Sequence, residues 1–422
     1  MTNSEIFSQF NPSVTSNYPR TPIKVSGQTK PYPKDNVELS TKKKKSSTTV
    51  RLLVGGFLGT TVAILGSAAL SLRANMKAVT TLAKHIDFKP AKTIEEAKEF
   101  AMKNLGMKKF DVGNDLDIAN WVNQGITELN NKFKGKAYLP DAVELMSDAH
   151  LKESPNSLAA MKHGLYNMDK EGFLHHTLYI NPKAHSLDGL LDRVKESYIF
   201  KSMNLNKNTI ILPPFMRIDK EVIEILMQVL NTGKISQYQA YQLLDFNKTL
   251  ATFYENPNVV LKDLYSQQTF VELVKNKAPN LFKNLDDVLK LSTEEQSKYL
   301  SILREELISQ KVPFNKIPTA SILSFKTSPF ATIFHELGHT AHEKNAIFKY
   351  NFGKMHEGGK LFNLLKTPEA QETAAKVSWY AKTTPIEFVA EVFSGIISGN
   401  KYPDDVMSLY NKFGGPKINS AM

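Results

Sequence analysis

The period of apolar and polar positions changes several times along this chain. Residues 1–50 have no apolar period of 3.6 or 2; they hold five prolines (Pro12, Pro19, Pro22, Pro31, Pro33), many Ser, Thr and Asn, and the run Lys42-Lys43-Lys44-Lys45. That pattern predicts a disordered basic tail. From Leu52 to Leu72 come 21 residues without a charge, LLVGGFLGTTVAILGSAALSL, bracketed by Arg51 and Arg73. At about 1.5 Å per residue such a helix spans about 30 Å, one hydrocarbon thickness. A core helix of that length would normally carry a polar stripe, whereas these residues hold no charge at all. The lead of 51 residues is too long for an ordinary cleaved signal peptide, so the pattern predicts a retained transmembrane anchor over 51–73. Gly55 and Gly59 form a G-x-x-x-G through which two anchors could pair into a homodimer.

Beyond the anchor, an amphipathic stretch over 76–86 falls in a linker, 74–92. Helical periodicity follows over 93–105 and 117–134. Strand-like pieces come next at Ala142–Met146, Ala159–Met168 and Phe173–Asn181, with Thr209–Leu212 as a further candidate, each bounded by Asp, Asn, Pro or Gly. Residues 216–312 have little strand signal and read as a largely helical insertion, and the C-terminal quarter returns to helices. The sum is an α+β domain over 93–415, with a membrane helix before it.

Charge changes the picture only at the N-terminus. Lys+Arg number 53 against 42 Asp+Glu, a net +11, but the first 51 residues hold 9 basic and 3 acidic side chains. The folded part is close to balanced, and no nucleic-acid-reading motif accompanies it, so nucleic acid is not expected as a partner. Within 20 residues of the anchor there are six basic side chains before it and five after it. The tight Lys cluster favours a cytoplasmic tail, which would put the C-terminal domain on the extracytoplasmic side as a single-pass membrane protein. Cysteine is absent, which excludes a disulfide scaffold, a cysteine nucleophile, thiolate zinc sites and iron–sulfur clusters.

Candidate chemistry lies at His335-Glu336-Leu337-Gly338-His339, an H-E-x-x-H. Two histidines four apart on a helix stand one turn above each other, so their imidazoles can converge on one metal, with Glu336 beside them where a carboxylate can reach a metal-activated water. Ser328 and Pro329 read as an N-cap and first helical residue, and Lys344-Asn345 as the stop. Phe330, Ile333, Phe334, Leu337 and Ala341 fall on the face opposite the histidines, which turns His335 and His339 toward a cleft. Gly338 costs about 1 kcal/mol inside a helix, which points to close packing there. His342 shares the histidine face but lies about 4.5 Å further along the axis than His339, too far to share their metal.

A working site needs a third ligand. Thr384-Pro385 opens a second, very apolar helix in which Glu387 and Glu391 stand one turn apart. Two carboxylates there would carry a large desolvation cost unless paired or metal-bound. A capping box with Thr384 competes for Glu387 and leaves Glu391 unexplained.

Together these helices resemble the gluzincin zinc metalloproteases, most closely the family of the anthrax lethal factor catalytic domain. The match is carried by His335-Glu336-x-x-His339, by Tyr380 and, beginning 48 residues after His339, by Glu387-Phe388-Val389-Ala390-Glu391-Val392-Phe393. It extends over Pro329 to Phe393 and only loosely into the strand region before it. No counterpart of the toxin's receptor-binding part is present, and toxin function does not carry over. The resemblance implies a zincin-like domain, a small mixed sheet beside an active-site helix, binding one Zn2+ per chain through His335, His339 and Glu387. It further implies Glu336 as general base and Tyr380 as stabiliser of the oxyanion; Glu391, one turn from Glu387, suits the outer shell, accepting the free N–H of a ligand histidine. Tyr380 also has a plain reading as a packing aromatic beside Trp379. The expectation is a membrane-anchored endopeptidase with protein or peptide substrates. A tethered scaffold on an inactive protease fold and a zinc hydrolase of a non-peptide bond stand as alternatives.

Overall fold

Helix α1 (Ile94–Lys103) starts where Thr93 can cap it: the Thr93 hydroxyl accepts the Glu96 N–H at 3.2 Å, while the Glu96 carboxylate takes the Lys92 N–H at 2.7 Å. It is the first element in a computed structural model that describes residues 85–132, 139–153, 157–163, 168–169, 172–173, 176–197, 199, 214–323, 326–343 and 353–417. The chain divides into units 1–77 and 78–422, and the description below concerns the second. The anchor expected over 51–73 lies outside the described residues, as do the tail and most of the linker. Among the described residues no helix is long and apolar enough to cross a membrane.

The architecture is mixed α+β, mostly helical with a small sheet. Strands β1 (Lys109–Asp111), β2 (Ala142–Leu145), β3 (Ala159–His163) and β6 (His176–Ile180) form one sheet in the order β1-β2-β6-β3. The first three in that order run parallel, and β3 is antiparallel against β6, pairing Ala159 with Ile180 and His163 with His176. Strands β4 (Met168–Asp169) and β5 (Gly172–Phe173) make a separate small hairpin. The row Phe110, Val143, Leu178 is buried on one face and Ala142 and Thr177 on the other, so both faces are covered, as parallel pairing requires. Helix α2 (Leu116–Lys132) buries Ile118, Trp121, Val122, Ile126 and Leu129. Of the predicted strand Ala159–Met168, Ala159–His163 form β3 and Met168 belongs to β4; of Phe173–Asn181, Phe173 belongs to β5 and His176–Ile180 form β6, with 164–167 and 174–175 outside the described residues. Thr209–Leu212 lies outside the described residues.

Helices α3 (Asp148–Glu153), α4 (Pro182–His185) and α5 (Leu187–Glu196) follow the strands in the chain. From 220 to 309 the regular elements are all helical: α6 (Lys220–Thr232), α7 (Gln237–Glu255), α8 (Pro257–Ser266), α9 (Gln268–Lys277), α10 (Leu285–Leu289) and α11 (Thr293–Ser309). Helix α11 opens with a full capping box between Ser292 and Glu295. In α7, Ala240, Leu243, Phe246 and Leu250 recur at helical spacing and are buried. Tyr241 of the same helix stacks on Trp121, with ring centroids 4.5 Å apart, and its hydroxyl donates to His185 Nδ1 at 2.7 Å. His185 Nε2–H then donates to the Leu158 carbonyl at 3.0 Å, and burial, the larger cause, and Arg193 push this imidazole down to about 3, so it is neutral.

The remaining helices are α12 (Ala331–Glu343), α13 (Lys360–Leu365), α14 (Pro368–Ala375), α15 (Pro385–Ile397) and α16 (Asp404–Lys412). Helix α12 packs along β3 on one side and along α15 on another. That placement sets the site beside the antiparallel edge of the sheet.

Candidate metal centre

Helix α12 starts two residues later than the Ser328-Pro329 pattern predicts. The Ser328 hydroxyl accepts the Phe330 N–H at 3.1 Å, and the Ser328 N–H donates to Asp245 on α7 at 2.7 Å, so 328–330 is held as a turn. Trp121 Nε1–H donates to the Pro329 carbonyl at 2.8 Å and pins the same turn from the other side. The predicted stop at Lys344-Asn345 lies outside the described residues. Within α12, Phe330, Ile333, Phe334, Leu337 and Ala341 are buried as their spacing predicts.

Gly338 explains how α12 and α15 come together. A Cβ built there would lie 3.1 Å from Ala390 Cα and 3.1 Å from Phe393 Cδ1, both on α15. Close approach is therefore the reason for glycine at this position. Gly338→Ala should meet about 1–3 kcal/mol of overpacking, against about 1 kcal/mol gained in helix propensity. The thermal midpoint of this variant is expected to hold or fall; a clear rise would show that α15 can move away at no cost.

Helix α15 opens with Thr384, whose hydroxyl accepts the Glu387 N–H at 3.1 Å. The Glu387 carboxylate goes elsewhere: Oε2 lies 3.0 Å from His335 Nε2 and 3.4 Å from His339 Nε2. The two Nε2 atoms are themselves 3.2 Å apart. Glu387 Oε2 is buried, and no donor meets it with hydrogen-bond geometry. Three donor atoms thus face one point, and His335, His339 and Glu387 form a group that could hold a metal ion.

The other expected residues cluster around that point. Glu391 Oε1 lies 2.7 Å from His335 Nδ1, on the side away from the three converging atoms. Tyr380, in a short 3₁₀ turn (Tyr380–Lys382), places its ring centroid 5.7 Å from that of His335. Trp379 stacks beside it, and both side chains are partly exposed. Glu336 is buried in α12, close enough to His335 and Tyr380 to act on the charge of each. His342 turns away: its Nε2–H donates to the Phe413 carbonyl at 2.8 Å, as a neighbour and not a member of the group.

Charge in the cluster is strongly organised. Burial works to push the His335 imidazole down, but Glu387 and Glu391 at its two nitrogens outweigh it and lift it to about 10. Burial likewise acts to raise Glu387, yet the two imidazoles hold it well below the carboxylate range. For Glu391 the opposing burial is overcome by Lys248 and His335, which keep it at about 2. The Tyr380 phenol is pushed above its ordinary value by burial first and then by Glu387, Glu336 and Glu391, so it is an O–H donor at neutral pH. An imidazolium held this firmly must lose its proton before it binds a metal.

Comparison of the chain with protein-family models, with curated proteins and with solved structures finds no match. The geometry of the site therefore carries the functional argument. Sequence reasoning did not single out Asp245, Lys248 or Ser378, although Lys248 Nζ lies 3.9 Å from Glu391 Oε1 and Ser378 contacts the same carboxylate. Asp245 and Lys248 are an i,i+3 charge pair on a helix, a pattern that ordinarily marks a solvated face.

Proposed function

We propose that this chain is a membrane-anchored, zinc-dependent endopeptidase of the gluzincin type, with a zincin-like domain that carries the helices of 220–309 as an insertion. The observation that carries this reading is the triangle formed by His335 Nε2, His339 Nε2 and Glu387 Oε2, with sides of 3.2, 3.0 and 3.4 Å. Ligand atoms about 2.0–2.2 Å from a tetrahedral zinc ion lie about 3.3–3.6 Å from one another, so the donor set fits zinc in number and kind, and its sides open by a few tenths of an ångström to receive the ion. Three protein ligands leave the fourth position open, which is the arrangement of a catalytic site. Residues 52–72 supply the membrane attachment in this reading.

Zinc in such a set supplies Lewis acidity, which makes attack of water on a carbonyl feasible near neutral pH. Glu336 accepts the proton of the attacking water and returns it to the leaving amine. Tyr380, held protonated, donates a hydrogen bond to the carbonyl oxygen as negative charge develops on it. Glu391, with Oε1 2.7 Å from His335 Nδ1, would fix the ring and turn Nε2 toward the ligand point. Glu336 also separates this function from scaffolding, since holding a metal or a partner does not require a carboxylate at that position.

Metal analysis of the purified chain, joined to digestion of a peptide library, tests the proposal. About one zinc per chain, with library cleavage abolished by a chelator and restored by zinc, is the expected result. A folded chain that takes up no zinc would overturn it. Zinc uptake with hydrolysis of ester or amide substrates but of no peptide would leave the zinc hydrolase and remove the peptidase.

A further inference from the structure

The helical block reaches the metal centre through one turn of α7. Lys248 Nζ lies 3.9 Å from Glu391 Oε1, the same oxygen that lies 2.7 Å from His335 Nδ1. One turn earlier on the same helix, Asp245 accepts the Ser328 N–H at 2.7 Å, at the turn that leads into α12. A turn earlier again, Tyr241 stacks on Trp121, which donates to the Pro329 carbonyl at 2.8 Å. Three positions on one face of α7 thus grip the beginning of α12 and the carboxylate of α15 that faces its first histidine. The opposite face of α7 is anchored by Leu243, Phe246 and Leu250, so this grip is backed by the core of the helical block.

The geometry points to α7 as a positioning element of the metal centre, with Lys248 acting through Glu391 to orient the His335 imidazole. The inference rests on the metal-binding reading of His335, His339 and Glu387. The physical reason is charge balance in a buried place. Glu391 has only 9% of its side chain exposed, and it touches an imidazole that is neutral when it serves as a ligand. A carboxylate that lies between an ammonium and an imidazole is drawn from both sides, which keeps its oxygen aimed at His335 Nδ1. Lys248 is half-exposed, so its ammonium can face both water and Glu391. Asp245 and Tyr241 keep the distance constant by tying α7 to the Ser328–Phe330 turn.

A purely structural role for Lys248 predicts a change in unfolding and none in metal binding, and the test separates the two. Zinc affinity of the full chain is measured by chelator competition for the wild type, Lys248→Met and Lys248→Arg, with His339→Ala as the control for the ligand set. Outer-shell partners of ligand histidines typically alter metal affinity 10–100-fold, and Lys248 stands one contact further out, so about 3–10-fold weaker binding is expected for Lys248→Met. Lys248→Arg should return within about twofold of the wild type, because it restores the cation. The Nδ1–H proton resonance of His335 should move upfield in Lys248→Met and recover in Lys248→Arg. Unchanged affinity in a folded Lys248→Met, alongside loss of zinc in His339→Ala, overturns this inference alone. Absence of zinc binding in the wild type overturns the metal reading and this inference with it.

Discussion

Glu336→Gln is expected to bind zinc as the wild type does and to lose peptide cleavage by a factor on the order of 10²–10⁴, the share that a general base typically supplies. Gln keeps the size of Glu and a comparable helix propensity, so α12 should fold unchanged around it. Its amide can still contact water but cannot accept and return a proton. The loss should appear in kcat and in kcat/KM together, because the proton is transferred only as the carbonyl is attacked. Metal content measured in the same samples makes the result decisive. Equal zinc with lost cleavage identifies the base. Equal zinc with full cleavage would remove Glu336 from the chemistry and with it the gluzincin mechanism. Tyr380→Phe should show a smaller loss of the same kind, since one hydrogen bond to the oxyanion is removed while the base remains.

The centre of the site was legible in the sequence because its parts obey local rules. His335 and His339 meet because four residues make about one helical turn, and the apolar residues opposite them turn both into the site. Gly338 signalled close packing, and Ala390 is what packs there. The competition over Glu387 is decided by dividing the residue: its backbone N–H is capped by Thr384 and its carboxylate lies against the imidazoles. His342 shares the histidine face in projection, yet its rise along the axis carries it to the Phe413 carbonyl. What stayed hidden is non-local. Asp245 stands 83 residues before the N–H it accepts, and no periodicity connects the two. The turn at 328–330 that precedes α12 is held from both ends, the Ser328 N–H by Asp245 and the Phe330 N–H by the Ser328 hydroxyl. Strand β1 has three residues, too short for alternation to register, and is fixed by pairing with β2.

Glu387→Gln should weaken zinc binding by at least about 100-fold, more than loss of an outer-shell partner does, because an anionic ligand is replaced by a neutral amide. The same substitution has a second consequence in protein stripped of metal. His335 is lifted from 6.5 to about 10, so its stabilising share is complete below about 6.5 and fades as pH rises toward 10. Glu387 is lowered from 4.5, so its share is complete above that value and fades as pH falls below it. Both shares coexist between about 4.5 and 6.5, where Glu387→Gln should cost about 1–3 kcal/mol, a figure reduced from that of a fully buried pair because Glu387 is partly exposed. Unfolding of chelator-treated wild type and variant across pH 5–9 should therefore show the largest gap at the acidic end and a narrowing gap toward pH 9. In zinc the order of effects reverses. Metal binding displaces the His335 proton, so wild-type affinity rises with pH, and the stability gap between the two proteins widens with it. Equal zinc affinity in Glu387→Gln would mean that the third ligand is another group and that the triangle on α12 and α15 is an ion pair only.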